Sequence, residues 1–189
     1  RASRMVAVIA IPACLVLALF AEQVLWVWTG DAHASEHAAP ILRSYALGNG
    51  FLAMSAFPYY LQFAKGDLKL HLIGNVIFVL LLVPSLFWAT LRYGAEGAGH
   101  AWLCANALYF FFWVPLVHRR FIKGFHCKWL VCDLGAPLVF GGVAAIFLNE
   151  FSSWPADRFN VALLLFVGTV ISVSSCMAGS RIALGLTKA

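Results

Sequence analysis

Two histidines and a glutamate in "HASEH", His33 to His37, sit at the H-x-x-E-H spacing by which one group of zinc proteases sets two imidazoles and a general base on one helical turn. In such a site each imidazole gives a nitrogen lone pair to the metal, and the carboxylate takes a proton from the bound water. Spacing is half of the requirement. The other half is a third ligand, a substrate cleft and a folded, water-accessible body around them.

Composition decides whether that body exists. Of 189 residues, 62% are hydrophobic and 11% charged, with a mean hydropathy of +0.86, far from the roughly 25% charged share of a soluble domain. The chain reads as a membrane protein. Crossing ~30 Å of hydrocarbon takes about 20 apolar residues of helix, and six runs qualify: Met5 to Trp28, Ile41 to Ala64, Leu70 to Leu91, Gly97 to Val117, Trp129 to Leu148 and Phe159 to Ala178. Strand-type alternation is absent, so the expected fold is an all-α membrane protein with six transmembrane helices.

Cations set the orientation, because Lys and Arg are retained on the cytoplasmic side. Arg1, Arg4, Lys65, Lys69, Arg119, Arg120, Lys123, Lys128, Arg181 and Lys188 fall on one side, and Arg43, Arg92 and Arg158 on the other. Both ends are therefore expected in the cytoplasm. Trp26, Trp28, Trp88, Trp102 and Trp154 map to the outer boundary and Trp129 to the inner one, as an aromatic belt would. The net charge of +5 then reports topology and attraction to anionic lipid, not nucleic acid. On this reading "HASEH" occupies an outer loop of about ten residues with no soluble domain to complete a zinc site, even if Glu150 came from another outer loop as third ligand. The expectation is a polar first turn into the second span, capped by Asp31 or Ser35.

No other nucleophile or metal constellation stands out. Cys14, Cys104, Cys127, Cys132 and Cys176 contain no C-x-x-C pair, no G-x-S-x-G occurs, and His126 beside Cys127 is too sparse for a metal. No catalytic residue, metal ligand or cofactor is assigned. Polar groups within the bilayer are the next place to look, since they are costly in hydrocarbon and often line a path. Glu22, Gln23, Asn49, Gln62, Asn75 and Asn106 qualify; the plain alternative for each is an interhelical hydrogen bond. Pro12, Pro58, Pro84, Pro115 and Pro137 fall inside five spans, where each removes a backbone donor and favours a kink. Gly168, Ser172, Ser175 and Gly179 form a small-residue stripe suited to close helix packing.

Two longer stretches carry a resemblance. "PYYLQFAKGDLKLHLIGN", Pro58 to Asn75, followed by "YGAEGAGHAWLCANALYFFF", Tyr93 to Phe112, resembles the second half of bacterial polysaccharide exporters of the O-antigen flippase type, in the multidrug/oligosaccharidyl-lipid/polysaccharide superfamily. "FAEQVLWVWTGD", Phe20 to Asp31, looks like the outer end of the preceding helix in that family, so the likeness covers about residues 20 to 130. It implies two six-helix lobes around a cavity that opens alternately inward and outward. Residues 1–128 would be the last four helices of the second lobe, and 129–189 an added pair with a short cytoplasmic tail. The first lobe, with most of the cations that hold pyrophosphate, would lie in an absent N-terminal part.

The resemblance further implies a bacterial inner-membrane protein that flips undecaprenyl-diphosphate-linked oligosaccharide, working beside other polysaccharide assembly proteins, and not an enzyme. In this segment the substrate path would draw on the amides Asn49, Gln62, Asn75 and Asn106 and the rings Tyr59, Tyr60 and Tyr109. An apolar groove by the last helix pair would suit a polyprenyl tail, plain lipid-facing surface being the alternative. A cation-coupled drug exporter of the same superfamily would need a buried carboxylate, for which only Glu22 offers itself. A membrane-embedded polymerase or acyltransferase would need His33, His37, His100 and Arg92 to converge at the outer face. A non-transporting scaffold needs none of these.

Overall fold

The structure, a computed structural model, describes residues 2–151, 154 and 157–186. Arg1 and Lys188 of the cation count, and the end of the expected tail, lie outside them. Among the described residues the secondary structure is helical: α1 (Ala2–Leu19), α2 (Ala21–Thr29), α3 (Ala32–Met54), α4 (Ala56–Ala64), α5 (Lys69–Leu108), a π-helical turn (Tyr109–Trp113), α6 (Val114–Phe121), α7 (Phe125–Trp129), a second π-helical turn (Leu130–Gly135), α8 (Ala136–Phe151) and α9 (Arg158–Leu186). Three stretches, Lys69–Phe121, Phe125–Leu148 and Arg158–Arg181, are long and apolar enough to cross a membrane. A fourth is added if the bent pair Ser3–Leu19 and Ala21–Thr29 counts as one span.

The first expected span is thus not straight. It breaks at Phe20, and its halves meet at 80°. No proline or glycine stands at the break; Pro12 lies inside the continuous part of α1. Tertiary contacts hold the bend instead. The Arg43 guanidinium donates to the Ala18 carbonyl at 2.9 Å, a group near the helix end that has lost its next-turn partner, and Phe20 packs edge-on against Trp154 at 5.3 Å.

The expected outer loop of about ten residues shrinks to two, while the expected polar first turn capped by Asp31 is found at "HASEH". Those residues are the first turns of α3, joined to α2 by Gly30 and Asp31 alone. Gly30 ends α2 in the left-handed region (φ 75°), and the Asp31 carboxylate caps α3 by accepting from the Ala34 amide at 3.1 Å. Ser35 is buried and donates to the Asp31 carbonyl, so Asp31 is the cap. His33 and His37 stack at 4.2 Å. No group of three His, Cys, Asp or Glu capable of holding a metal forms among the described residues.

The expected second span, Ile41 to Ala64, is divided at Ser55 into α3 and α4. The Ser55 hydroxyl donates back to the Phe51 carbonyl at 2.9 Å, and Pro58 has no amide to give the Met54 carbonyl. Both effects loosen the same turn. Prolines 115 and 137 act similarly, each just after a π-helical turn.

Leu70 to Leu91 and Gly97 to Val117 fall in one helical stretch that folds back on itself. Gly94 (φ 62°, ψ −145°) is the non-helical point, a conformation only glycine adopts readily. Beyond it the arms run antiparallel: Phe78 meets Tyr109 edge-on at 5.7 Å, and the Trp113 ring covers Gly74. The first arm exposes Leu72, Ile73, Val76, Leu80, Val83 and Phe87 along one apolar face, a surface suited to lipid.

Helix α1 packs against α3, α8 and α9, so the final pair does not stand apart from the rest. The core around its N-terminal half joins Ala7, Ile11, Phe110, Val114, Trp129 and Leu134. Trp129, assigned by sequence to the inner aromatic belt, is 1% exposed and belongs to this core. It lies 4.8 Å from the buried His118 ring, whose Nδ1 shares a hydrogen bond with Nδ1 of His126 at 2.9 Å. The Arg4 guanidinium donates to Oδ1 of Asp133 at 2.7 Å and the Ser3 hydroxyl to Oδ2 at 2.7 Å, while Arg4 also reaches the Ser180 carbonyl. The cation count puts Arg4 on the cytoplasmic side and leaves Asp133 out. The small-residue stripe of α9 packs on α8: Ser172 donates to the Gly141 carbonyl, Cys176 to that of Pro137, and Phe140 lies over Gly179.

Candidate functional site

The break at Ser55 and the fold-back at Gly94 together leave a wedge of space. A cavity of about 410 Å³ lies there. Leu52, Ala53 and Ser55 come from the end of α3, Ala56, Tyr59 and Tyr60 from α4, His71, Asn75 and Phe78 from the first arm of α5, and Asn106 and Tyr109 from its second arm and the adjoining turn. Five of the seven expected path residues, Tyr59, Tyr60, Asn75, Asn106 and Tyr109, therefore line one cavity. They are separated by up to 50 positions in sequence and are assembled by the two chain reversals.

The hydrogen bonding is local. Asn106, nearly fully buried, donates from Nδ2 to the Trp102 carbonyl at 2.9 Å. Its side-chain oxygen has two lone pairs to offer. Asn75 donates from Nδ2 to Nε2 of His71, one helical turn back, at 3.0 Å. The Tyr59 ring stands edge-on to His71 at 4.7 Å and to Tyr60 at 5.1 Å.

Asn49 and Gln62 do not line this cavity. Asn49 accepts from the Trp102 indole at 3.2 Å, an interhelical bond that helps seat that ring over Gly48. Gln62 is fully buried and donates to the Pro58 carbonyl, while its Oε1 has no partner among the described residues. His71 is the residue that sequence reading passed over, although it lay within the quoted stretch. A signal was available: His71 and Asn75 are spaced i, i+4 at the start of an apolar helix, so two polar side chains must share one face.

No family model, curated protein or solved structure matches the chain. The site's chemistry rests on its own geometry. Among the described residues no Lys, Arg, Asp or Glu lines the cavity, so it offers amides, phenols, an imidazole and apolar wall. Those groups hydrogen-bond hydroxyls and stack on flat apolar faces; they do not neutralise a phosphate. On the other side of α3 and the first π-helical turn lies a groove of about 740 Å³. Phe51, Phe110, Phe111, Val131, Leu138 and Phe140 are among its lining residues, and no described residue of the lining is charged. It runs between the helical hairpin and the final helix pair, where an apolar chain would fit.

Proposed function

We propose that this chain is part of a bacterial inner-membrane transporter that flips undecaprenyl-diphosphate-linked oligosaccharide for surface polysaccharide, such as the O-antigen of lipopolysaccharide. The observation that carries this reading is the gathering of Tyr59, Tyr60, Asn75, Asn106 and Tyr109 in one uncharged cavity. The apolar groove beside it adds the second chemistry such a substrate requires. Sugars would meet the amide and aromatic wall, and the polyprenyl tail would lie along the groove. Pyrophosphate would be held by cations of a preceding N-terminal lobe, the partner of this segment within the same protein.

Six passes with both ends cytoplasmic follow on this reading, counting the fold-back at Gly94 as two passes, α1 with α2 as one bent pass and α3 with α4 as another. Transport by alternating access needs elements that change shape at defined points. The breaks at Phe20 and Ser55 and the two π-helical turns supply them.

The test is export by the full-length protein after single alanine substitutions at Asn75 and Tyr109. Each removes a side chain from the cavity, and Asn75 is exposed, so its loss is cheap in stability. Export is expected to fall about tenfold at constant protein level, the equivalent of one lost ligand contact. Unchanged export in both variants contradicts the assignment. His37→Ala and His100→Ala should leave translocation intact; loss of a covalent product with translocation preserved would instead mark a membrane-embedded enzyme.

A further inference from the structure

On the side of the α5 hairpin away from α3, the seam between the two arms is a groove. Gly99, Trp102 and Leu103 of the second arm turn toward Ser44 and Gly48 of α3, and helical spacing puts Gly97, Ala101, Cys104, Ala105 and Leu108 on the opposite side. Up to Ala105 these side chains are small, so space remains between them and Ile77, Leu81 and Ser85 of the first arm. Two cavities, of about 470 Å³ and 400 Å³, occupy that space, and both are lined by Ser85, Ala101 and Cys104. The ends of the groove are unlike. At one end the Trp113 ring over Gly74 closes an apolar pocket with Ile77, Leu81 and Phe112. At the other end Trp88, Tyr93, Glu96 and His100 surround the mouth, with the Trp88 and Tyr93 rings edge-on at 6.1 Å. Glu96 is exposed, forms no ion pair with a described residue, and is the one charged side chain among the described lining residues of either cavity. Trp88 follows Gly74 by 14 residues, about 21 Å of helix. That length takes a chain from headgroup level to the middle of ~30 Å of hydrocarbon.

We propose that this groove binds one phospholipid whose headgroup carries a protonated primary amine, with the ammonium at Glu96 and an acyl chain along the seam. A ligand polar at one end and apolar for the rest matches a groove with the same gradient. A transmembrane helix, apolar along its length, would leave the Glu96 carboxylate without a counter-charge. An ammonium supplies that charge and brings three N–H donors. Beside it, the Tyr93 hydroxyl and an imidazole N–H of His100 are donors for the phosphate. The rings of Trp88 and Tyr93 suit the headgroup level, where an apolar body and a polar tip are both satisfied. A headgroup that is anionic alone, such as phosphoglycerol, would set its charge against Glu96 with no cation in the described lining to offset it. Phe78 and Tyr109, which line both spaces, separate the groove from the cavity of Asn75 and Asn106. Lipid binding here does not depend on what the chain transports.

The experiment is native mass spectrometry of the full-length protein released from nanodiscs of phosphatidylethanolamine and phosphatidylglycerol in equal parts, with matched acyl chains. The native protein should retain phosphatidylethanolamine. Glu96→Gln, which keeps the size of the side chain, should lower that retention about fivefold, the upper end for an exposed charge pair, and leave phosphatidylglycerol unaffected. Cys104→Phe, at an exposed position that lines both cavities, should fill the seam and remove the bound phosphatidylethanolamine. Glu36→Gln, exposed on α3 and outside the groove, should match the native protein. Unchanged retention in Glu96→Gln or in Cys104→Phe overturns the proposal, as does an equal fall of both lipids in Glu96→Gln or an equal loss in Glu36→Gln. Native protein that holds no phosphatidylethanolamine also overturns it, the result expected if another helix lies in the groove.

Discussion

Replacing Gly97 with alanine should cost about 3 kcal/mol, the upper part of the range for forcing extra volume into a packed site. Gly97 begins the second arm of the hairpin, three residues after Gly94, and a Cβ there would fall well inside contact distance of the Ala89 carbonyl oxygen. Backbone, not a mobile side chain, is in the way, so relief requires moving the first arm off the second. The cavity wall would be disturbed with it, because Asn75 and Asn106 sit on opposite arms. The measurement is the midpoint of unfolding in mixed detergent, compared with Gly142→Ala, where no atom lies within 4 Å of the added methyl. The control should be neutral or slightly stabilising, since alanine is the better helix former. Equal midpoints for both variants would show that the arms do not meet at Gly97.

The second large effect concerns Asp133. Its carboxylate accepts from both Ser3 and Arg4, and the side chains of Arg4 and Asp133 are 14% and 15% exposed. Asp133→Leu leaves the Arg4 cation without its partner in a poorly hydrated joint between α1, the second π-helical turn and α9, at a cost of about 3 kcal/mol. Arg4→Met in the same chain should recover most of that, because two apolar side chains replace a desolvated pair at little net cost. The recovery, read as a coupling energy in a double-mutant cycle, separates an ion pair from two independent losses. Additive costs would contradict the pairing. By contrast, Arg120 and Asp67 approach only to 3.5 Å with the arginine 66% exposed, and breaking that pair should change little.

Hydropathy revealed the parts of the fold that lipid solvates. The arms of the Gly94 hairpin and the helices α8 and α9 are continuous apolar runs, and nothing competes with their reading as helix. Elements that depend on contacts between distant residues were not legible. Phe20 and Ala21 give no sign of an 80° bend, because Arg43 and Trp154 hold it from outside. Trp129 looked like a belt residue by position, yet Phe57, Phe110 and His118 close around it. "HASEH" was legible in part: Asp31 reads as a cap of a polar first turn, but low hydropathy stretches the loop before it to about ten residues, although the alanines Ala32, Ala34, Ala38 and Ala39 carry a helix signal.

The candidate site was legible by residue type but not by grouping. Asn75, Asn106 and the three tyrosines stand out in an apolar chain because polar groups there need partners. Asn49 and Gln62 stand out equally, and only the structure shows that a tryptophan indole and a backbone carbonyl occupy them. His71 went unnoticed because its partner is one turn away in its own helix, where attention to interhelical bonds does not look.

The most direct test of the account is the side of the membrane on which its two polar ends lie. Cysteines placed singly at positions 37 and 123 of the cysteine-free full-length protein would be treated in intact cells with a maleimide that cannot cross the bilayer; both positions are exposed. Labelling at 37 in intact cells, and at 123 only after permeabilisation, is the predicted result. Labelling at 123 from outside, or at 37 only after permeabilisation, would contradict the arrangement on which the transport reading depends.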